Sequence, residues 1–229
     1  MREPVRESSR PGARRAARRS LGFRSASVAL FALLVAACGP EVAGRAGGGG
    51  ESSESPAVLG SVPDFSLIDQ RGADFRSADL RGQVWVANFI FTRCSAICPI
   101  LTGEMLDLQA RMASDPVGDQ VRLVSFSVDP EHDRPAVLAE YAKGHGADTE
   151  RWTFATGDRA EIWELSKSGF KLAVGEEPPG AADPLFHSDR LVLVDAEGHI
   201  RGYYSGMESG GVDALVADLH AVAGEADGS

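Results

Sequence analysis

Val84-Trp-Val-Ala-Asn-Phe-Ile-Phe91 is apolar at every position but Asn88, and it runs straight into Thr92-Arg-Cys94-Ser-Ala-Ile-Cys98-Pro99. An apolar run of this length predicts a strand covered on both faces of a sheet, which needs helices to cover it. The next segment supplies one. Ile97, Ile100, Leu101, Met105, Leu108 and Met112 recur at three- and four-residue steps, the spacing of an amphipathic helix from Ile97 to Met112. Working outward, Val121 to Val128 predicts a second strand, and Arg134 to Lys143 a second helix capped by Asp133 with Pro135 in its first turn. Trp152 to Ala155 reads as a strand and Arg159 to Ser168 as a helix. Arg190 to Asp195 and Ile200 to Tyr204 read as hairpin strands around Glu197-Gly198, and Val212 to Val222 as a closing helix. Phe65 to Asp69 and Asp74 to Arg76, flanking Gln70-Arg-Gly72, predict an N-terminal β-hairpin. The fold class expected is α/β, a central mixed β-sheet flanked by helices, with a Gly/Pro-rich insertion loop from Gly175 to Pro184.

The chain has 229 residues and a net charge of −10, but the charge is unevenly spread. Residues 1–37 carry eight arginines against two glutamates, so the remainder carries fifteen Lys+Arg against thirty-one Asp+Glu. An acidic body of this kind argues against nucleic acid as a partner, because neutralising phosphates needs clustered cations. The basic leader and the short apolar run centred on Val28 to Val35 predict a secretory signal over residues 1–37, too short to span a bilayer comfortably. Val35-Ala-Ala37 before Cys38 resembles a bacterial lipoprotein cleavage site, which makes Cys38 the lipidated N-terminus and membrane anchor of an extracytoplasmic protein. Residues 38–57 are rich in Gly, Ser, Glu and Pro and predict a flexible linker, leaving 58–225 as one domain.

The chemistry concentrates at Cys94 and Cys98, which the pattern places together at a helix N-terminus. There, unpaired N–H groups and the helix dipole favour negative charge, so both thiols are expected to ionise below the ordinary value, with Arg93 assisting. Alpha carbons at i and i+4 of a helix lie about 6.2 Å apart, near the top of what a disulfide spans. Metal–sulfur bonds of about 2.3 Å bridge a wider gap, so the spacing leaves a disulfide open and suits a bridging metal somewhat better. Two thiolates select copper(I), zinc or an iron–sulfur unit; with no second cysteine pair a cysteine-only site is excluded, and the five histidines are the candidates for a third ligand. His132, His145, His199 and His220 read as surface histidines. His187 ends the insertion loop, just before the apolar run from Arg190.

Phe91-Thr-Arg-Cys94-Ser-Ala-Ile-Cys98-Pro99, Ser127-Val-Asp-Pro-Glu131, Asp133-Arg-Pro135, Trp152 with Thr156-Gly157, and His187-Ser188 leading into Leu193-Val-Asp195 together resemble the Sco (SenC) family. These are thioredoxin-like copper proteins of cytochrome c oxidase assembly, and the match runs in order over about residues 60–220. The resemblance implies one copper ion held by Cys94, Cys98 and His187. It also implies delivery of copper to the dinuclear copper centre of cytochrome c oxidase subunit II or another copper protein, or reduction of that centre's cysteines with a thiol reductant as partner. Asp129 is implied to shape the loop beside the site. Pro184-Leu-Phe186 stands where many members carry Val-Asp, so a carboxylate near the site is either missing or supplied by Asp183 or Asp189. The alternative is a metal-free, membrane-tethered thiol-disulfide oxidoreductase using Cys94 and Cys98.

Overall fold

The structure, a computed structural model, describes residues 55–226; the leader, Cys38 and the linker up to residue 54 lie outside the described residues. Ten strands and four α-helices follow in chain order: β1 (Gly60–Ser61), β2 (Ser66–Asp69), β3 (Asp74–Arg76), β4 (Val84–Ile90), α1 (Cys98–Met112), β5 (Val121–Ser127), α2 (Pro135–His145), β6 (Trp152–Thr156), α3 (Arg159–Glu164), β7 (Val174–Glu176), β8 (Leu185–His187), β9 (Arg190–Val194), β10 (His199–Ser205) and α4 (Gly211–Ala226). Eight strands form one sheet in the order β1-β10-β9-β4-β5-β6-β2-β3, and β7 pairs with β8 apart from it. The sheet is mixed: β4, β5 and β6 run parallel, while β9 lies antiparallel to β4 and β2 antiparallel to β6.

The apolar run behaves as its composition demands. Every residue of β4 is buried. Trp85 and Phe89 join Phe65, Phe126 and Phe170 in one aromatic cluster, with Phe89 stacked on Phe126 at 5.3 Å and Phe170 edge-on to both Trp85 and Phe89. The alternate residue Asn88 accepts from Ser125 Oγ at 2.6 Å, and Ser125 Oγ in turn accepts from Trp152 Nε1 at 2.9 Å. This chain of bonds pairs Asn88 Oδ1, Ser125 Oγ and Trp152 Nε1, which are costly to bury unpaired, and leaves Asn88 Nδ2 without a partner. Each large aromatic removed from water contributes about 1.5–3 kcal/mol, so the cluster is what fixes β4 and the segment leaving it.

The periodic segment after it is helical, with Cys98, Leu101, Met105, Leu108 and Met112 buried on one face, and α1 packs against α4. The N-terminal hairpin forms as β2 and β3 and joins the main sheet beside β6. Two expectations fail locally. The segment expected as one helix from Arg159 to Ser168 is α3 only to Glu164, and residues Leu165–Gly169 turn in a wider π-helical loop that brings Phe170 into the aromatic cluster. The segment from Gly175 to Pro184 is also not loop throughout, since β7 and β8 close it into a small hairpin. No helix among the described residues is long and apolar enough to cross a membrane.

Candidate metal centre

Parallel β4 and β5 end together, and the site lies just beyond their carboxyl ends, where open α/β sheets carry their ligands. The turn after β5 grips the chain leaving β4. Asp133, fully buried, accepts from Thr92 N at 2.9 Å, from Thr92 Oγ1 and from Ser127 Oγ at 2.6 Å. The expected capping role of Asp133 is therefore wrong: Arg134 stands at the N-cap of α2 without a side-chain bond, and the carboxylate turns inward because Thr92 and Ser127 offer it donors there. Asp129 accepts from Arg93 Nε at 2.7 Å, in keeping with its expected role in shaping this loop. Arg93 is thus spent on Asp129 rather than on the thiols. Cys94 N donates to Phe91 O at 3.1 Å, and α1 begins only at Cys98, so one of the two cysteines lies in the helix and the other in the turn before it.

Cys94, Cys98 and His187 converge although the histidine is 89 residues beyond Cys98. Cys98 Sγ lies 3.0 Å from His187 Nε2, Cys98 N donates to Cys94 Sγ at 3.5 Å, and the three candidate ligand atoms are all within 4.8 Å of one another. His187 is buried on β8, opposite Val174 of β7, rather than at the end of a loop. The β7–β8 pair was hidden because three-residue strands leave no periodicity to read. His187 Nδ1 sits 2.9 Å from Ser188 O. A carbonyl only accepts, so Nδ1 carries a proton there, and Nε2 is the ring nitrogen that faces Cys98. Phe91 packs edge-on against the imidazole at 5.7 Å, a contact that sequence reasoning missed because Phe91 reads simply as the end of the apolar run. The other histidines stay outside the trio: His132 faces Asp133, His199 faces Asp195, His220 faces Asp115, and His145 packs at a tilt on Tyr141. Asp183 supplies the nearby carboxylate, accepting from Ser95 N at 3.0 Å, whereas Asp189 accepts from Ser205 Oγ.

The two thiols differ in character, contrary to the expectation that both ionise readily. For half-buried Cys94, burial works against the thiolate, but His187 and the Cys98 and Ala96 N–H groups outweigh it and bring the thiol down to about 7. Burial pushes the Cys98 thiol up, and the adjoining Cys94 and Asp183 add to the rise. Since only thiolates alkylate, the reduced, metal-free protein should lose Cys94 to iodoacetamide at a rate that climbs with pH and is half-maximal near pH 7. Cys98 should stay unmodified across that range; equal labelling of both cysteines would contradict the asymmetry.

A family model described as SCO1/SenC matches residues 54–224, nearly all of the described chain. The chain belongs to the SCO1/SenC family. A SCO1/SenC family lipoprotein from Bacillus anthracis is 32% identical with a TM-score of 0.66, the match covering 72% of this chain and 95% of that one. BsSco, described as carrying a disulfide switch and as a member of the Sco family of cytochrome c oxidase assembly proteins, is 34% identical with the same TM-score, over 74% of this chain and 98% of its own. Yeast Sco1 with copper bound is 27% identical with a TM-score of 0.56, over 70% and 87% of the two chains. The expected thioredoxin-like α/β fold is thus the one found. Within this family fold, two sulfurs and one imidazole nitrogen make a soft donor set, and Cys94, Cys98 and His187 form a possible metal site.

Proposed function

We propose that this Sco chain binds one copper ion through Cys94 Sγ, Cys98 Sγ and His187 Nε2. Its role is to deliver copper to the dinuclear copper centre of cytochrome c oxidase subunit II, or to reduce the cysteines of that centre before loading. The observation that carries the reading is the approach of His187 Nε2 to within 3.0 Å of Cys98 Sγ, with Nδ1 tied to Ser188 O. An imidazole held this way beside two sulfurs serves a soft ion better than it serves a dithiol alone. Copper(I) is the cargo, and two thiolates with one neutral nitrogen leave a side open for an incoming ligand, so transfer proceeds by exchange rather than by release of free ion. The copper-bound state of yeast Sco1 supports the choice of metal.

The reducing role draws on the thiol pair itself. Cys94 is the half-buried, readily ionised member and Cys98 the buried one, so oxidation to a disulfide removes both sulfur donors and couples metal occupancy to redox state. The two electrons needed to restore the dithiol come from an external thiol reductant.

The leader over residues 1–37, lipidation of Cys38, the linker over 38–57 and the domain over 58–225 complete the proposal and place the protein outside the cytoplasm on a membrane anchor. The basic leader, its short apolar run and the small residues before Cys38 support this part.

Elemental analysis of the reduced protein, with thiols counted in parallel, tests the metal reading. One copper per chain is expected, and His187→Ala should weaken copper binding by about 10–100-fold or more while leaving the dithiol count intact, since even indirect partners of metal ligands cost that much. Copper binding unchanged in the variant removes the imidazole from the site and leaves a plain thiol-disulfide oxidoreductase.

A further inference from the structure

The segment between β7 and β8 closes on itself, with Glu177 N donating to Pro184 O at 3.0 Å and Ala181 N to Pro178 O at 3.1 Å. It faces the cysteine turn across an apolar cavity of about 400 Å³ that opens beside Cys94 and has Ala96, Ile97, Ala182 and Phe186 among its walls. Across that cavity the side chain of Asp183 spans the gap. Its Oδ1 accepts from both Ser95 N and Ser95 Oγ at 3.0 Å, and its Oδ2 lies 3.9 Å from Cys94 Sγ. Hydrogen bonds to a carboxylate are roughly twice as strong as neutral ones, so this is the firmest link from the loop to the residues around Cys94.

We propose that Asp183 is a positioning residue: by bonding Ser95 it latches the 177–184 loop over the Cys94 turn and thereby governs how bulky a partner group reaches Cys94 Sγ. The inference deepens the proposed function, because Cys94 is the sulfur an incoming partner meets first while Cys98 lies buried behind it. The latch follows from the composition around it. Gly180, at a φ of +92°, turns the loop back, and the small side chains of Ala181 and Ala182 leave room for the carboxylate to come down on the turn. Exposed Phe186 stands on the outer wall, so a partner segment that displaces the loop finds apolar surface beneath it. Asp183 is tied to the cysteine turn by hydrogen bonds alone, so the latch opens by breaking its two bonds to Ser95 and closes again without a reagent.

The test compares two maleimides on the reduced, metal-free full chain, N-ethylmaleimide and a polyethylene-glycol maleimide, with modification of Cys94 read by mass spectrometry of its peptide. The ratio of the bulky to the small reagent's rate cancels any change in thiol ionisation and reports access alone. D183A should raise that ratio about tenfold, the factor that goes with losing hydrogen bonds to a charged acceptor. D183N should restore it to within about twofold of the parent, because the amide oxygen still accepts from Ser95 while the amide N–H turns to Cys94 Sγ. S95A, which removes one of the two bonds, should fall between them. A ratio unchanged in D183A overturns the latch, and a ratio as high in D183N as in D183A overturns its hydrogen-bonded basis. Copper loading of the same variants separates the two readings. Normal loading with flat ratios overturns the latch alone, and absent loading with the expected ratios overturns the copper reading alone.

Discussion

Cys98→Ser should weaken copper(I) binding by well over about a hundredfold, beyond the 10–100-fold that altering a ligand's supporting partner costs. The reason is chemical rather than steric. Cys98 is 1% exposed and faces His187 Nε2 at 3.0 Å, so a serine hydroxyl, which both donates and accepts, fills nearly the same space and hydrogen-bonds that nitrogen. The variant therefore keeps its fold, and its urea midpoint should stay close to the parent's. What it loses is one of two soft anions: a serine hydroxyl stays protonated and is a hard, neutral oxygen that copper(I) binds poorly. Competition against a copper(I) chelator of known affinity reads the change. The same substitution ends disulfide formation, so the oxidised and reduced forms of the variant should migrate alike where those of the parent separate. Affinity within tenfold of the parent would falsify the assignment of this sulfur to the site.

Asp133→Ala should produce the largest loss of stability at any single position near the centre. The carboxylate is fully buried and accepts from Thr92 N, Thr92 Oγ1 and Ser127 Oγ, with His132 Nδ1 at 2.9 Å as a further contact. Removing it strips the acceptor from buried Ser127 Oγ and from the two part-buried Thr92 donors, for a total loss of about 3–5 kcal/mol in unfolding free energy. Against a total stability of about 5–15 kcal/mol, that is a large fraction. Urea denaturation should show a clearly lower midpoint, and copper affinity should fall with it because Thr92 is two residues from Cys94. Asp133→Asn provides the control: it keeps one acceptor oxygen but puts an amide N–H among donors, so it should lie between parent and alanine. A midpoint for Asp133→Ala within the error of the parent's would show that the turn after β5 does not hold the cysteine turn.

The parts of this architecture that could be read from the chain are those whose signal is local. Val84 to Phe91 announces a buried strand because seven of its eight residues are apolar, and Ile97 to Met112 announces a helix because its apolar residues keep helical spacing. The misreadings have a common origin. Asp133 beside Arg134-Pro135 has the local appearance of a helix cap, and only the nearness of Thr92, 41 residues upstream, turns it inward. Arg93 beside Cys94 looks like an aid to ionisation until Asp129 takes it up. The three-residue strands β7 and β8 carry too few residues for any pattern, so the position of His187 on a strand emerges only from its pairing with Val174.

Taken alone, the sequence determined the two cysteines four apart, the strand before them and the helix after them, because those features depend on residue identity and short-range spacing. The tertiary structure decided that His187 faces Cys98, that Asp183 rather than Asp189 reaches the cysteine turn, and that Cys94 ionises readily while Cys98 does not. Those outcomes depend on burial and on hydrogen bonds between groups far apart along the chain, and such forces act only once the sheet has brought the groups together.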